Sequence, residues 1–160
     1  MSLIRKGTAE WFGTGLEGSG ELSSPSGILN KTPYNLSNRF ENENGAAGTN
    51  PEELIAAAHA GCFCMALSFQ IVAAGYTPTR LAAEAVIHMK QEGYDWSFED
   101  IDLNLQAQIE DITEEKLVEL ATIAKENCPV SMALSAAVSY TNLTLPTNVS
   151  MCRSRWSPYH

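Results

Sequence analysis

The stretch GTNPEELIAAAHAGCFCMALSFQIVAAGY (Gly48–Tyr76) decides how this chain folds. From Leu54 to Ala74 it contains no Asp, Glu, Lys or Arg, yet it carries His59, Cys62 and Cys64. A run that apolar lies either in lipid or against a protein core. Its length would just cross a bilayer. However, it is rich in alanine, holds His59, Ser68 and Gln70, and lacks basic anchors at its ends. The sequence therefore favours a core helix buried on all sides. Asn50 is a suitable N-cap, Pro51 fits the first helical position and Glu53 stands where a capping box places a carboxylate. Gly75 supplies the C-terminal stop.

Outward from this helix, residues 5–32 are rich in Gly and Ser and read as a β-hairpin or meander. Residues 33–49, PYNLSNRFENENGAAGT, read as a long loop. On the C-terminal side, IDLNLQAQI (Ile101–Ile109) alternates apolar and polar residues strictly, as a half-buried strand does. The alanines of TRLAAEAVIHM would suit a helix, but the polar turn at Gly93–Asp95 favours pairing it with Ile101–Ile109 as a hairpin. Thr113 caps a helix whose first turn holds Glu114 and Glu115 and whose apolar face is Leu117, Leu120, Ala121 and Ala124. Asn127 ends it, Cys128-Pro129 opens a short further helix, and AAVSYTNLTL reads as a last strand. The order ββ(β)–α–ββ–αα–β predicts an α+β domain with helices on antiparallel sheet. Residues 1–145 read as one domain. Residues 146–160 lose all periodicity and read as an atypical, disordered or appended tail, which sets Cys152 aside from the chemistry.

Composition narrows the function. Of 160 residues, 44% are hydrophobic and 18% charged, which is ordinary for a globular protein. The net charge of −9 and the absence of a basic stripe argue against nucleic-acid or anionic-membrane partners. The N-terminus lacks the apolar run of a secretory signal, so the cytoplasm is the expected compartment. Four cysteines are too few for a disulfide scaffold, which leaves catalytic, metal-binding or inert roles.

Cys62 and Cys64 stand about 200° apart around a helix, so they face opposite ways. His59 and Cys62, at i and i+3, can meet. Three readings of Cys62 compete: a small buried side chain, a metal ligand with His59 and Cys128, or a reactive thiolate. In mid-helix a thiolate gains nothing from the N-terminal dipole and needs a cation. Arg39, alone in the acidic loop NRFENEN, is the candidate, with an ion pair to Glu41 or Glu43 as its bland alternative. Cys128 precedes Pro129 at a helix start, where the dipole does favour a thiolate. Cys62 and Cys128 could form a redox pair if their Cα atoms lie within about 7 Å.

The combination of TNPEELIAAAHAGCFCMALS, NCPVSMAL some sixty residues on, and SGILNKTPYNLSNRFE upstream resembles the OsmC/Ohr family of thiol peroxidases, osmotically inducible and organic-hydroperoxide-resistance proteins. The resemblance runs from about Lys6 to Leu143, and AAAHAGCFCMALS is closer to the OsmC branch. It implies an OsmC-like fold, with antiparallel sheets, a long buried central helix and an intertwined homodimer carrying two active sites at the subunit interface. It further implies that Cys62 is the peroxidatic cysteine and Cys128 the resolving one. Arg39 and Glu52 would form the ion pair that activates Cys62. The substrate would be an alkyl hydroperoxide, the reductant an external dithiol such as a lipoyl protein or thioredoxin, and no cofactor or metal is called for. His59 reads as a packed helix residue and Cys64 as a spacer. Because Glu52 and Cys62 are about 15 Å apart along a straight helix, the Glu52 that serves a given Cys62 is expected to come from the partner subunit. Two other functions use the same residues. A redox sensor would use the Cys62–Cys128 switch without turnover. A Cys-His hydrolase would use Cys62 and His59, but lacks an oxyanion hole because the neighbouring amides are already bonded within the helix.

Overall fold

The computed structural model describes residues 2–42, 45, 48–134 and 140–144, the last as backbone. The chain divides into two compact units, Met1–Leu54 and Ile55–His160.

In the first unit β1 (Thr8–Phe12), β2 (Ser19–Ser23) and β3 (Thr32–Asn35) form an antiparallel meander in that order, as the Gly/Ser-rich stretch predicts. Trp11 leans on Tyr34 with ring centroids 5.4 Å apart, a tilted pair that adds to the strand pairing. The expected loop of residues 33–49 is more ordered than its composition implies. It completes β3 and then makes a turn and a half of helix, α1 (Leu36–Phe40). The cause is local, since the Asn35 side chain accepts from the Asn38 amide at 2.7 Å and so offsets an orphan donor at the helix start. Asn38 is buried, and a Cβ on Gly48 (φ 151°) would collide with its side-chain amide. The glycine that opens the decisive stretch therefore has a packing reason.

The helix α2 runs over Pro51–Ala73. Its caps follow the sequence signals: the Asn50 side chain accepts from the Glu53 amide at 2.8 Å. At the other end Gly75 (φ 87°) donates to Val72, and the Tyr76 amide reaches back to Ile71, which is the Schellman pattern. Burial takes only part of the expected circumference. His59, Phe63, Leu67 and Ile71, spaced by four, are buried, whereas Met65, Phe69 and Val72 lie open. By length and mean hydropathy (1.7) α2 meets the bare requirement for crossing a membrane, yet its buried stripe joins a protein core.

That core belongs to the second unit. Strands β4 (Pro78–Glu92) and β5 (Asp95–Ile109) pair as a long antiparallel hairpin. Ile101, Leu103, Leu105 and Ala107 of β5 are buried, while Asp102, Asn104, Gln106 and Gln108 take the other face. Opposite them β4 sets Leu81, Ala83 and Ala85. These alanines are extended because the cross-strand partner overrides their helical preference. Helix α3 (Glu114–Asn127) begins at Thr113, whose hydroxyl accepts from the Lys116 amide at 3.2 Å. All four residues of its predicted apolar face are buried. The stripes of α2 and α3 and the inner face of β5 form one cluster, each large side chain contributing about 1.5–3 kcal/mol. Helix α4 (Pro129–Ala133) follows at once, and β6 (Tyr140–Thr144) pairs with β5 in parallel. This departs from the otherwise antiparallel pattern because the α3–α4 crossover brings the chain back in the direction of β5. The fold is α+β with antiparallel sheets and a long central helix. Residues 145–160 lie outside the described residues.

Leu103→Ala should cost about 2–5 kcal/mol of unfolding free energy and Thr113→Ala about 1 kcal/mol. Denaturant unfolding of the two variants measures both, and equal costs would contradict the core assignment.

Candidate redox site

Two constellations contain the residues singled out in the sequence. The first lies in the N-terminal unit and its continuation into α2. Arg39, the last-turn residue of α1, meets Glu52 in the first turn of α2. Its Nε lies 3.2 and 3.1 Å from the two carboxylate oxygens, and Nη2 lies 2.6 Å from Oε1. This is the two-pronged guanidinium–carboxylate arrangement, which fixes the plane of the arginine as well as its position. The bland alternative for Arg39 does not hold for Glu41, which accepts instead from the Ser37 hydroxyl at 2.8 Å. Glu43 lies outside the described residues. The guanidinium also sits 4.9 Å above the Phe40 ring. Its side chain is 35% exposed, against 15% for Glu52, so the arginine is the more open partner of the pair.

The second constellation is in the C-terminal unit. Cys62 projects from the middle of α2, and Cys128 occupies the junction of α3 and α4. Their sulfurs are 2.8 Å apart, and both are free thiols. Cys128 is completely buried, whereas Cys62 is partly exposed. Their acidities are pushed in opposite directions. Burial raises the Cys62 thiol, and the hydrogen bond with Cys128 raises it further, against a smaller pull from the Val130 amide. For Cys128 burial also opposes ionisation, but the hydrogen bond from Cys62, the Ser131 and Val130 amides and the Ser131 hydroxyl outweigh it. The Cys128 thiol is therefore held below its usual range. Of the two thiols Cys128 is the more acidic, and in the un-ionised pair it donates to the Cys62 sulfur. The resemblance implies a Cys62 activated by the Arg39–Glu52 pair, whereas within the single chain the groups beside Cys62 raise its thiol.

His59, one turn before Cys62, is fully buried and hydrogen-bonds through Nε2 to the Ser131 hydroxyl at 2.8 Å. Burial, and next the charge of Lys125, lower its pKa, so the ring is neutral. Nδ1 has no partner among the described residues. An orphaned N–H is rarer in cores than an orphaned acceptor, which assigns the ring proton to Nε2. Cys64 faces the other way, as its spacing requires: burial raises its thiol, partly offset by the Ala83 amide of β4.

Ser131 is the residue that sequence reasoning missed. The signal available was its spacing, three residues after Cys128 with Pro129 between, which turns its amide and hydroxyl back toward the sulfur. The hairpin register also sets His88 within 3.0 Å of Asp102 and 3.5 Å of Asp100 on the exposed sheet, a cluster that only strand pairing could reveal.

Comparison with known proteins agrees with this architecture. The OsmC-like protein family profile matches residues 42–141. The chain is 39% identical to peroxiredoxin OsmC of Escherichia coli K12 over 139 residues, covering 87% of this chain and 95% of that protein. It is 30% identical to organic hydroperoxide resistance protein OhrB of Bacillus subtilis over 115 residues, 72% of this chain and 81% of that one. The crystal structure of OhrB superposes with a TM-score of 0.64 at 25% identity, covering 88% of this chain and 97% of its own.

A neutral, buried His59 has a pH signature. Its folded pKa lies below the unfolded value of 6.5, so below that pH the unfolded chain binds the proton that the native ring refuses. Its contribution to stability is complete above pH 6.5 and is lost as pH falls toward the folded pKa. The loss is at most about 1.4 kcal/mol per pH unit. Unfolding free energies of native protein and His59→Gln between pH 7 and 5 should converge as the pH falls.

Proposed function

The chain belongs to the OsmC-like protein family, a family of peroxiredoxin-like oxidoreductases, and on that premise we propose that it reduces organic hydroperoxides through Cys62 and Cys128. The observation that carries this reading is the 2.8 Å approach of two thiols 66 positions apart in the chain, one partly exposed and one buried. That geometry suits a peroxidatic cysteine open to substrate and a resolving cysteine held behind it.

The cycle starts when Cys128, the more acidic thiol, loses its proton and Cys62 becomes the donor between the two sulfurs. As Cys62 sulfur attacks the terminal peroxide oxygen, its proton passes the short distance to Cys128. The O–O bond breaks, and the products are Cys62 sulfenic acid and an alkoxide. The alkoxide takes the proton from Cys128 and leaves as the alcohol, which restores the Cys128 thiolate. That thiolate then attacks the Cys62 sulfenic sulfur, expelling hydroxide and forming the Cys62–Cys128 disulfide before further oxidation intervenes. Two electrons and two protons from an external dithiol return the pair to thiols.

Arg39 would orient the peroxide and stabilise the developing negative charge on the leaving oxygen, and Glu52 would hold the guanidinium in the plane that allows it. The open apolar face of α2 at Met65, Phe69 and Val72 supports assembly as a homodimer, and with it the expectation that Glu52 serves the Cys62 of the partner subunit. A monomeric variant with full peroxidase turnover would refute that arrangement.

One equivalent of an alkyl hydroperoxide, added to reduced protein without reductant, should yield a Cys62–Cys128 disulfide by intact mass and peptide mapping. A free Cys62 after peroxide addition would end the peroxidase reading. Repeated turnover with a dithiol present separates the enzyme from a redox sensor, which would stop after one cycle. Arg39→Ala should lower kcat/KM by roughly 10²–10³, the scale of losing a charge-stabilising donor. Cys128→Ser should let Cys62 proceed to sulfinic acid.

A further inference from the structure

The disulfide formed in each cycle has two sulfurs, and an incoming thiolate must choose one. The surroundings of the two are unlike. Cys128 has no exposed surface, while Cys62 is partly open. Behind Cys128 stand His59 and Ser131, which take no direct part in the bond changes of the peroxide step. The Nε2–H of His59 meets the Ser131 hydroxyl at 2.8 Å, with both residues buried. The Ser131 hydroxyl and the Ser131 and Val130 amides favour the anionic form of the Cys128 sulfur. A serine hydroxyl has one proton to give. When His59 Nε2–H occupies the serine oxygen as acceptor, that proton is committed to the cysteine.

We propose that the external dithiol attacks the Sγ of Cys62, that Cys128 departs as the thiolate, and that His59 and Ser131 are positioning residues that fix this choice. This rests on the peroxidase reading for its place in the cycle. A reductant thiolate forms a bond to Cys62 Sγ as the Sγ–Sγ bond breaks, and the bond's electron pair goes to Cys128 sulfur. The second thiol of the reductant, losing its proton to the Cys128 thiolate, then attacks the reductant sulfur of the mixed disulfide. Cys62 leaves as thiolate and regains a proton from solvent, and the reductant departs as its disulfide. The better-stabilised thiolate is the faster leaving group, so Ser131 acts on this half of the cycle. The groups that face the departing sulfur and its support are Cys62 and His59 from α2, Ser131 and the Val130 amide from α4, and Lys125 of α3, whose charge acts on His59.

The test begins with native protein oxidised by diamide, so that the disulfide does not depend on a peroxide. Treatment with the monothiol N-acetylcysteine and an acid quench should leave the mixed disulfide on Cys62 by tandem mass spectrometry. Finding it on Cys128 overturns the proposal. The second measurement is the rate of disulfide reduction by dithiothreitol as a function of pH. Ser131→Ala and His59→Leu should be slower by roughly three- to tenfold, by the same factor across the pH range, because the Cys128 sulfur departs as thiolate at every pH. His59→Gln, which keeps an N–H donor, should retain the native profile. Variant profiles that superpose on the native one would remove His59 and Ser131 from the role, and a variant that fails to fold leaves the trapping result on native protein decisive. If diamide forms the disulfide and a hydroperoxide does not, the peroxidase reading fails while the direction of attack is still read.

Discussion

Two sulfurs 2.8 Å apart are the contact on which the proposed chemistry of this protein depends. Holding them there requires three elements to agree. The four-residue stripe of α2 seats its helix on the core and thereby sets the height and rotation of Cys62. The apolar face of α3, built on the same core, brings the chain to Cys128 at a fixed point. Pro129 then turns the backbone so that α4 presents amides and a hydroxyl to the buried sulfur. Sulfur chemistry is sensitive to errors of a few tenths of an ångström, and rigid packing of large apolar side chains is what supplies such tolerance.

The same arrangement distributes charge asymmetrically. Burial alone would suppress both thiolates, and it does suppress Cys62. Cys128 escapes because donors converge on it from one side, including the thiol of Cys62 itself. The two thiols thus differ in acidity while standing close enough for a proton to pass between them. In the proposed cycle this serves both halves: one partner becomes the nucleophile as the other takes its proton, and later the favoured anion leaves. The Arg39–Glu52 fork adds a different device, an oriented cation that is the more open partner of its pair. Its planar donors suit an oxygen that gains negative charge as a bond breaks.

The exposed face of α2 gives a further constraint. Met65, Phe69 and Val72 lie on the side of the helix away from its core stripe, and apolar side chains grouped on one helix face favour association over hydration. In the proposed homodimer one element, α2, would then serve an internal core and an external contact together.

Much of this was legible in the sequence. The caps of α2 and α3, the alternation of β5, and the Gly93 turn act through neighbours within four or five residues, so their physics is written in adjacent letters. The opposed directions of Cys62 and Cys64 follow from helix geometry alone. The family wording placed Arg39, Glu52, Cys62 and Cys128 together as a set, and the ion pair between the first two is present. Tertiary structure decided what depends on distant segments meeting. The alanines of β4 became strand because β5 lay beside them, residues 33–40 were ordered by one asparagine cap, and β6 ran parallel because a helical crossover turned the chain. Above all, which thiol is the more acidic depends on groups brought together by folding, Ser131 among them, and Ser131 itself meets His59, seventy-two positions away in the chain. Local sequence fixes secondary structure and side-chain direction, whereas acidity is set by every donor, charge and apolar wall around an atom, and those are assembled only by folding.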